Sequence, residues 1–378
     1  MAKCIMVGCD LHDKSMLLRV AVDQESPVTR RSGTTAAARQ AVLADLRRRA
    51  ARVGAGRVVL AYEACGFGFR WHDELAAAGF ECYVLAPSKM ARSAQRRKRK
   101  TDEKDAQGIL DLVRSHVLAG VPLPAVWVPD EQTRDDREVV RQRLLMAEEV
   151  SRAKVRIHWL LLRTGQESPP AEAWSQPHYR WLKKLAGGGL PAGAAAALGS
   201  LLRQLAWLEK EVERLDGQVA ALSQRPRYAH PAAALQEQQG VGRLTAMVFL
   251  TELGDLRRFA NRQQVGSYLG LTPASFESGQ ADDRKGHITH QGPSRVRKVL
   301  CQAVWSRLRV VPEEKAAYAR LVRRNPKHKK IAVVARMRTF GVVLWHVGLA
   351  AQAASRGVLE ADGHCPLPPG VARAAPAA

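Results

Sequence analysis

The sequence predicts an α/β amino-terminal domain followed by an all-α remainder, and three patterns carry that reading. Short apolar runs of strand length crowd residues 3–34. Helical and strand-like stretches then alternate up to residue 117. Beyond residue 131 the patterning is helical, with apolar residues spaced alternately three and four apart between Leu198 and Leu222.

"KCIMVGCD", residues 3–10, is apolar almost throughout and reads as a buried strand. "SMLLRVAVD" follows a short polar turn as a second strand, and "VTRRSGT" makes a third. Connections this short permit antiparallel neighbours and exclude a parallel crossover. Ala, Leu and Arg at helical spacing fill residues 36–52. "RVVLAYEA" at 57–64 is a strand, residues 68–79 a helix, and "ECYVLAP" another strand. "TDEKDAQGILDLVRSHV" is a helix with Thr101 or Asp102 as its cap.

Residues 131–164 form a long charged helix, and "TGQESPPAEAWSQP" breaks it. A second long helix over 196–224 carries Leu198, Leu201, Leu205, Leu208, Val212, Leu215, Val219 and Leu222 as a coiled-coil seam. A seam requires a partner, either the first long helix or another subunit. A helical domain begins near Leu235 and includes an apolar helix at 331–351. The expected division is 1–128, α/β; 129–230, a helical coiled-coil linker and oligomerisation region; 231–355, a helical carboxy-terminal domain; and 356–378, a disordered Pro- and Ala-rich tail.

The chain carries 59 Lys and Arg against 36 Asp and Glu, a formal net charge of +23. That excess points to a polyanionic partner, foremost nucleic acid, without specifying chemistry. The six cysteines form no CxxC pair, which argues against a zinc site. No leader peptide is evident, and no stretch is expected to approach the length of a membrane span. The expectation is therefore a cytoplasmic protein with reduced thiols.

"QRRKRKTDEKDAQGIL", residues 95–110, sets five consecutive cations, Arg96, Arg97, Lys98, Arg99 and Lys100, against a run of acids. Asp102 and Asp105 lie three apart on one helix face. Asp10 closes the first strand and Glu63 the fourth, so a twisted sheet can bring both to one edge. Four converging carboxylates repel one another unless a cation intervenes, and Mg²⁺ with its hard oxygen ligands suits them, as one ion or a pair. The neighbouring cations would then hold a phosphate backbone. Each acid taken singly has a plainer reading: Asp10 a turn residue, Glu63 a solvated acid at a helix start, Asp102 a cap, and Asp105 an ion-pair partner of Arg99 or Lys98.

"GLTPASFESGQADDRKGHITHQGPSRVRKVL", residues 270–300, is a long loop inside a helical domain, a pattern associated with function. Ser278 precedes Gly279, a pair expected to expose the hydroxyl on a sharp turn, and Arg295, Arg297 and Lys298 open the helix expected to follow. These cations and the helix start suit phosphate. A Ser-Gly pair is on its own more often a turn than a nucleophile. His287 and His290 are alternative bases or ordinary polar loop residues. Gly240 and Gly242 form a turn between helices that either presents backbone N–H groups to phosphate or serves packing.

Together these segments resemble the DEDD-type transposases of insertion sequences, also called bridge-RNA-guided recombinases, to which the Piv invertase is related. "VGCDLHDKS" resembles the family's first strand and "YEACGFGFRWHDEL" its Glu segment. "RKRKTDEKDA" resembles its Lys-Thr-Asp-x-x-Asp-Ala motif, and "GVGRLTAMVFLTELGDLRRF" with "GHITHQGPSRVRKVL" its transposase domain. One departure stands at Glu277, where the family often has a serine. The resemblance implies an RNase H-like domain related to Holliday-junction resolvases. It further implies Mg²⁺ on Asp10, Glu63, Asp102 and Asp105, and Ser278 as the nucleophile toward DNA. It also implies a structured guide RNA, double-stranded donor and target DNA, and a homo-oligomer, dimer or tetramer. Two rivals use the same composition: a junction nuclease that uses water, and a non-catalytic nucleic-acid scaffold.

Overall fold

Six consecutive buried residues, 4–9, make β1 (Lys3–Leu11) the central strand of a five-stranded sheet in the computed structural model. The structure describes residues 3–90, 101–169, 171–275 and 285–361. β2 (Ser15–Val22) and β3 (Val28–Gly33) fold back antiparallel, as their short links require. Helix α1 (Ala36–Val53) then carries the chain across to β4 (Ala55–Glu63), which pairs parallel with β1. Helix α2 (Phe69–Ala77) leads to β5 (Glu81–Leu85), parallel to β4. The strand order is β3-β2-β1-β4-β5.

β1 is apolar from Cys4 to Cys9 because both faces of the sheet are covered. On one face Ile5, Val7, Cys9, Leu60 and Tyr62 pack against Val42 and Leu46 of α1 and Trp71 and Leu75 of α2. On the other, Cys4, Met6, Val59 and Ala61 pack against Ile109, Leu110 and Val113 of α3 (Asp102–Ala119). Gly8 is the residue that lets α3 come so close. A Cβ there would lie 2.2 Å from the carbonyl oxygen of Ala106 and 2.3 Å from the Leu110 nitrogen.

The chain divides into two units, Met1–Pro129 and Asp130–Ala378. The second begins with α4 (Glu131–Arg163), capped by Asp130, which accepts from the Thr133 N–H at 2.7 Å. After α5 (Gln176–Lys184) and a π-helical turn at Leu185–Gly189, α6 (Ala192–Ser223) returns antiparallel to α4. It starts four residues earlier than the breaker pattern indicated, at 192 rather than 196. Rungs fix the register: Arg227 with Asp130, Arg225 with Asp136, Arg143 with Asp216 and Lys154 with Glu209.

The seam's partner is therefore inside the chain. Leu198, Leu205 and Leu208 pack with Ala153, Ile157, Leu160 and Leu161 of α4. Val219 and Leu222 join Val140 and Leu144 in the larger core. Of the two partners the pattern allows, the first long helix is the one these seam positions pack against.

That larger core continues through α7 (Ala229–Gln236), α8 (Arg243–Leu253), α9 (Arg262–Tyr268), α10 (Ser294–Val310) and α12 (Lys329–Ala361). Helix α11 (Pro312–Arg324) sits between the last two. Because Val140, Leu144, Val219 and Leu222 share this core with Phe249, Leu300 and Phe340, the hairpin and the terminal helices form one unit. Residues 270–300 are not all loop: β6 (Pro273–Ser275) and β7 (Lys285–Ile288) pair antiparallel. The Gly240 turn packs directly on α10, since a Cβ there would lie 2.8 Å from the Ala303 oxygen.

One expectation about membranes is overturned. Pro326–Ala354 is long and apolar enough to cross a bilayer by length and composition, with a hydropathy of 1.3. The same composition serves a core helix here: Val333, Met337, Phe340, Leu344 and Trp345 are buried in the second unit. The tail beyond residue 361 lies outside the described residues.

Candidate metal centre

Strand parity decides where the acids of the first unit go. Along β1 the residues facing α3 are Cys4, Met6 and, by alternation, Gly8 and Asp10. Along β4 they are Val59, Ala61 and then Glu63. The register pairs Cys9 with Tyr62, so Asp10 and Glu63 are next neighbours on the same face, about 4.8 Å apart in backbone spacing. Both stand at the end of the sheet where α3 begins.

Helix α3 starts with Asp102 and has Asp105 in the same turn. Thr101 caps it, its hydroxyl accepting from the Lys104 N–H at 3.4 Å. Thr101 fills the capping position, so the plainer reading of Asp102 as the cap is set aside. Two acids in a first turn also gain from the helix dipole. The close approach at Gly8 sets Ala106 against β1, so the turn that precedes Ala106 lands beside Asp10.

The result is a cluster in which Asp10, His12 and Asp102 each offer a donor atom, all within 4.8 Å of one another. The His12 Nε2 lies 3.2 Å from Asp10 Oδ2 and 3.8 Å from Asp102 Oδ1. Asp10 is the sheltered member, with 14% of its side chain exposed against 63% for Asp102. Burial raises the Asp10 pKa above the ordinary carboxylate value. The charges of Asp102 and Asp105 add to that, and His12 opposes it through charge and hydrogen bond. A carboxylate held against its preference beside other acids is a setting that a divalent cation relieves. The donors, hard carboxylate oxygens with one imidazole, fit such an ion.

Similarity to known proteins falls on the same segments. A family model for DEDD transposases of the IS110 type matches residues 7–165, which spans all four acids. A second, described as Transposase IS116/IS110/IS902 family, matches residues 232–319. A Sinorhizobium fredii protein named "Putative transposase y4rJ" is 31% identical over 282 residues, 71% of each chain. The chain belongs to the IS110/IS116 family of DEDD transposases. The S. fredii protein y4qE, also named a transposase, is 31% identical over 249 residues, and the match spans 66% of this chain and 58% of that one. The transposase for insertion sequence element IS1533 of Leptospira borgpetersenii is 25% identical over 246 residues, 65% of this chain and 69% of that one.

In this transposase the remaining candidate residues have mixed placements. Ser278 and the cations Arg96, Arg97, Lys98, Arg99 and Lys100 lie outside the described residues. Arg295 is exposed on the first turn of α10. Lys298 reaches Glu148 at 2.7 Å. Arg297 has a different task from the phosphate contact expected of it. Its Nη1 donates to the carbonyls of Leu269, Gln291 and Gly292 at 3.1, 3.2 and 3.2 Å, and its Nη2 to that of His290 at 3.1 Å. The backbone is crowded at the same place: a Cβ on Gly292 would lie 1.8 Å from the Tyr268 carbonyl oxygen. Arg297 thus fastens together the two ends of the segment 270–291.

Two features escaped the sequence reading. His12 is one, a residue within "VGCDLHDKS" not singled out beside Asp10. The other is a corner of exposed cations, Arg323, Arg324, Lys327, Lys329 and Lys330, where α11 ends and α12 begins. Lysines at the start of α12 oppose its dipole, and no acid in the first turn offsets them.

Proposed function

We propose that this transposase exchanges DNA strands through a Mg²⁺ site on Asp10, Glu63, Asp102 and Asp105 and a covalent link to Ser278, with a structured RNA choosing the DNA. The observation that carries the reading is the convergence of Asp10 and Asp102, from segments about ninety residues apart, on one cluster of donors within 4.8 Å. The sheet order β3-β2-β1-β4-β5, with its antiparallel first three strands, supports an RNase H-like domain.

A divalent cation bound there supplies Lewis-acid polarisation of a phosphodiester and offsets charge on the departing oxygen. The four acids hold and orient that charge; the cations of 96–100 and Arg295 hold the nucleic-acid backbone. The Ser278 hydroxyl gives up its proton as its oxygen bonds to phosphorus, and the bond from phosphorus to a sugar oxygen breaks. The sugar oxygen leaves and takes up a proton. A hydroxyl from the second DNA strand then attacks the phosphoserine ester and restores the serine. One phosphodiester is broken and one formed, so no nucleotide triphosphate is consumed. In this reading the protein acts on donor and target DNA in the cytoplasm as a dimer or tetramer. The serine of one subunit completes the acidic site of another.

Two substitutions test the proposal against its rivals. Asp102→Asn should retain DNA binding and abolish metal-dependent cleavage; cleavage that persists removes the acidic site from the reaction. Ser278→Ala should abolish a covalent protein–DNA adduct seen on a denaturing gel. A variant that still cuts without an adduct identifies a hydrolytic nuclease. Sequencing of RNA that copurifies with the protein tests the guide: one discrete transcript is expected, and random RNA counts against it.

A further inference from the structure

We infer that His12 is a nitrogen ligand of the divalent metal at this centre, which makes the site a mixed carboxylate–imidazole one. The inference rests on the reading of the acidic cluster as a metal site and adds a fifth residue to it. Its basis is geometric. Two donors each ~2.1 Å from one ion stand ~3.0 Å apart when at right angles and ~4.2 Å apart when opposite. The His12 Nε2 lies 3.2 Å from one Asp10 oxygen and 3.8 Å from one Asp102 oxygen, inside that window on both sides. The imidazole can therefore share an ion with either carboxylate without moving its backbone.

The local fold holds it there. His12 follows β1 by one residue, and its N–H donates to the Ser15 carbonyl at 2.8 Å, closing the β1–β2 turn. That hydrogen bond fixes the backbone from which the ring reaches over Asp10 toward the start of α3. The side chain is 45% exposed, so its orientation is set by the hydrogen bond of Nε2 with Asp10 and not by core packing.

An imidazole changes which ions the site prefers. Carboxylates alone favour hard cations such as Mg²⁺, whereas a nitrogen donor favours Mn²⁺ and later first-row ions. Replacing His12 should accordingly weaken Mn²⁺ binding more than Mg²⁺ binding.

The test uses the full-length protein loaded with Mn²⁺ and pulsed electron paramagnetic resonance. The wild type should show ¹⁴N modulation from a directly bound imidazole. His12→Ala and His12→Gln should bind Mn²⁺ without that modulation, and their Mn²⁺ affinity should fall about tenfold while Mg²⁺ affinity falls less. Bound Mn²⁺ with no ¹⁴N coupling in the wild type, or coupling that survives in both variants, overturns the role of His12 and leaves the acidic site standing. A wild type that binds no Mn²⁺, with Asp102→Asn indistinguishable from it, overturns the metal centre and His12 together.

Discussion

The carbonyl oxygen of Ala106 occupies the space where Gly8 would carry a side chain, 2.2 Å from the position of an added Cβ. This contact sets how closely α3 lies on β1, and hence where Asp102 and Asp105 fall relative to Asp10. Gly8→Ala cannot be accommodated by a flexible side chain, because both obstructing groups are backbone. The helix must lift. Overpacking of this kind costs about 1–3 kcal/mol. Urea denaturation should show that loss, and divalent-metal affinity should fall with it. Unchanged metal affinity in a folded Gly8→Ala protein would mean that the helix position does not govern the centre.

A second relationship governs acid stability in the other unit. Glu314 is 3% exposed and accepts from Arg336 at 2.6 and 3.1 Å and from Arg307 at 3.3 Å. Burial pushes its pKa up, but the two guanidinium groups outweigh it, and the net value lies below the ordinary one. A depressed carboxylate stabilises the fold above the unfolded-state pKa, about 4.3, and loses that contribution as pH falls through the folded value. Glu314→Ala, which leaves two arginines facing a buried gap, should cost about 3–5 kcal/mol at pH 7. The difference from wild type should shrink below pH ~4. Denaturant midpoints at neutral and acid pH measure both, and a difference that does not depend on pH would refute the assignment.

Arg297 should behave as a fastener and not as a phosphate contact. Its four carbonyl partners lie in 269–292, so Arg297→Ala frees both ends of that segment at once. Arg297→Lys keeps the charge but cannot reproduce the planar fork. Both variants should be cleaved faster by protease between residues 270 and 291, and, on the proposed mechanism, strand transfer should drop about tenfold or more. Metal binding should be unaffected. Were Arg297→Lys to match the wild type in both assays, charge alone would account for the residue.

The parts of this site that could be read from sequence are those with local rules. Asp10 and Glu63 close apolar strands, and Asp102 and Asp105 share a helix face by spacing alone. His12 obeys no such rule, since its nearness to Asp102 depends on where α3 lands, which is a tertiary matter settled at Gly8. The seam of Leu198–Leu222 shows the same limit. A heptad pattern describes one apolar face and is indifferent to whether α4 or another chain covers it. Arg297 misled because an arginine at a helix start looks alike whether it faces phosphate or the carbonyls of its own loop.

The cation corner at the α11–α12 junction yields a prediction with two opposed signs. Lys329 and Lys330 open α12, where positive charge is unfavourable by about 0.3–1 kcal/mol per residue at low salt. In a chain of net charge +23 such an exposed cluster suits a phosphodiester backbone. Replacing Lys327, Lys329 and Lys330 together with Ala should therefore raise thermal stability slightly and lower nucleic-acid affinity. For every phosphate no longer neutralised, the slope of log affinity against log salt should flatten by about 0.9 on duplex DNA and about 0.7 on a single strand. Measuring both ligands over a salt series separates duplex binding from single-strand binding. Replacement by Arg should preserve binding and retain the stability penalty. A triple-Ala variant with an unaltered salt slope on both ligands would show that the corner is only a solvated surface.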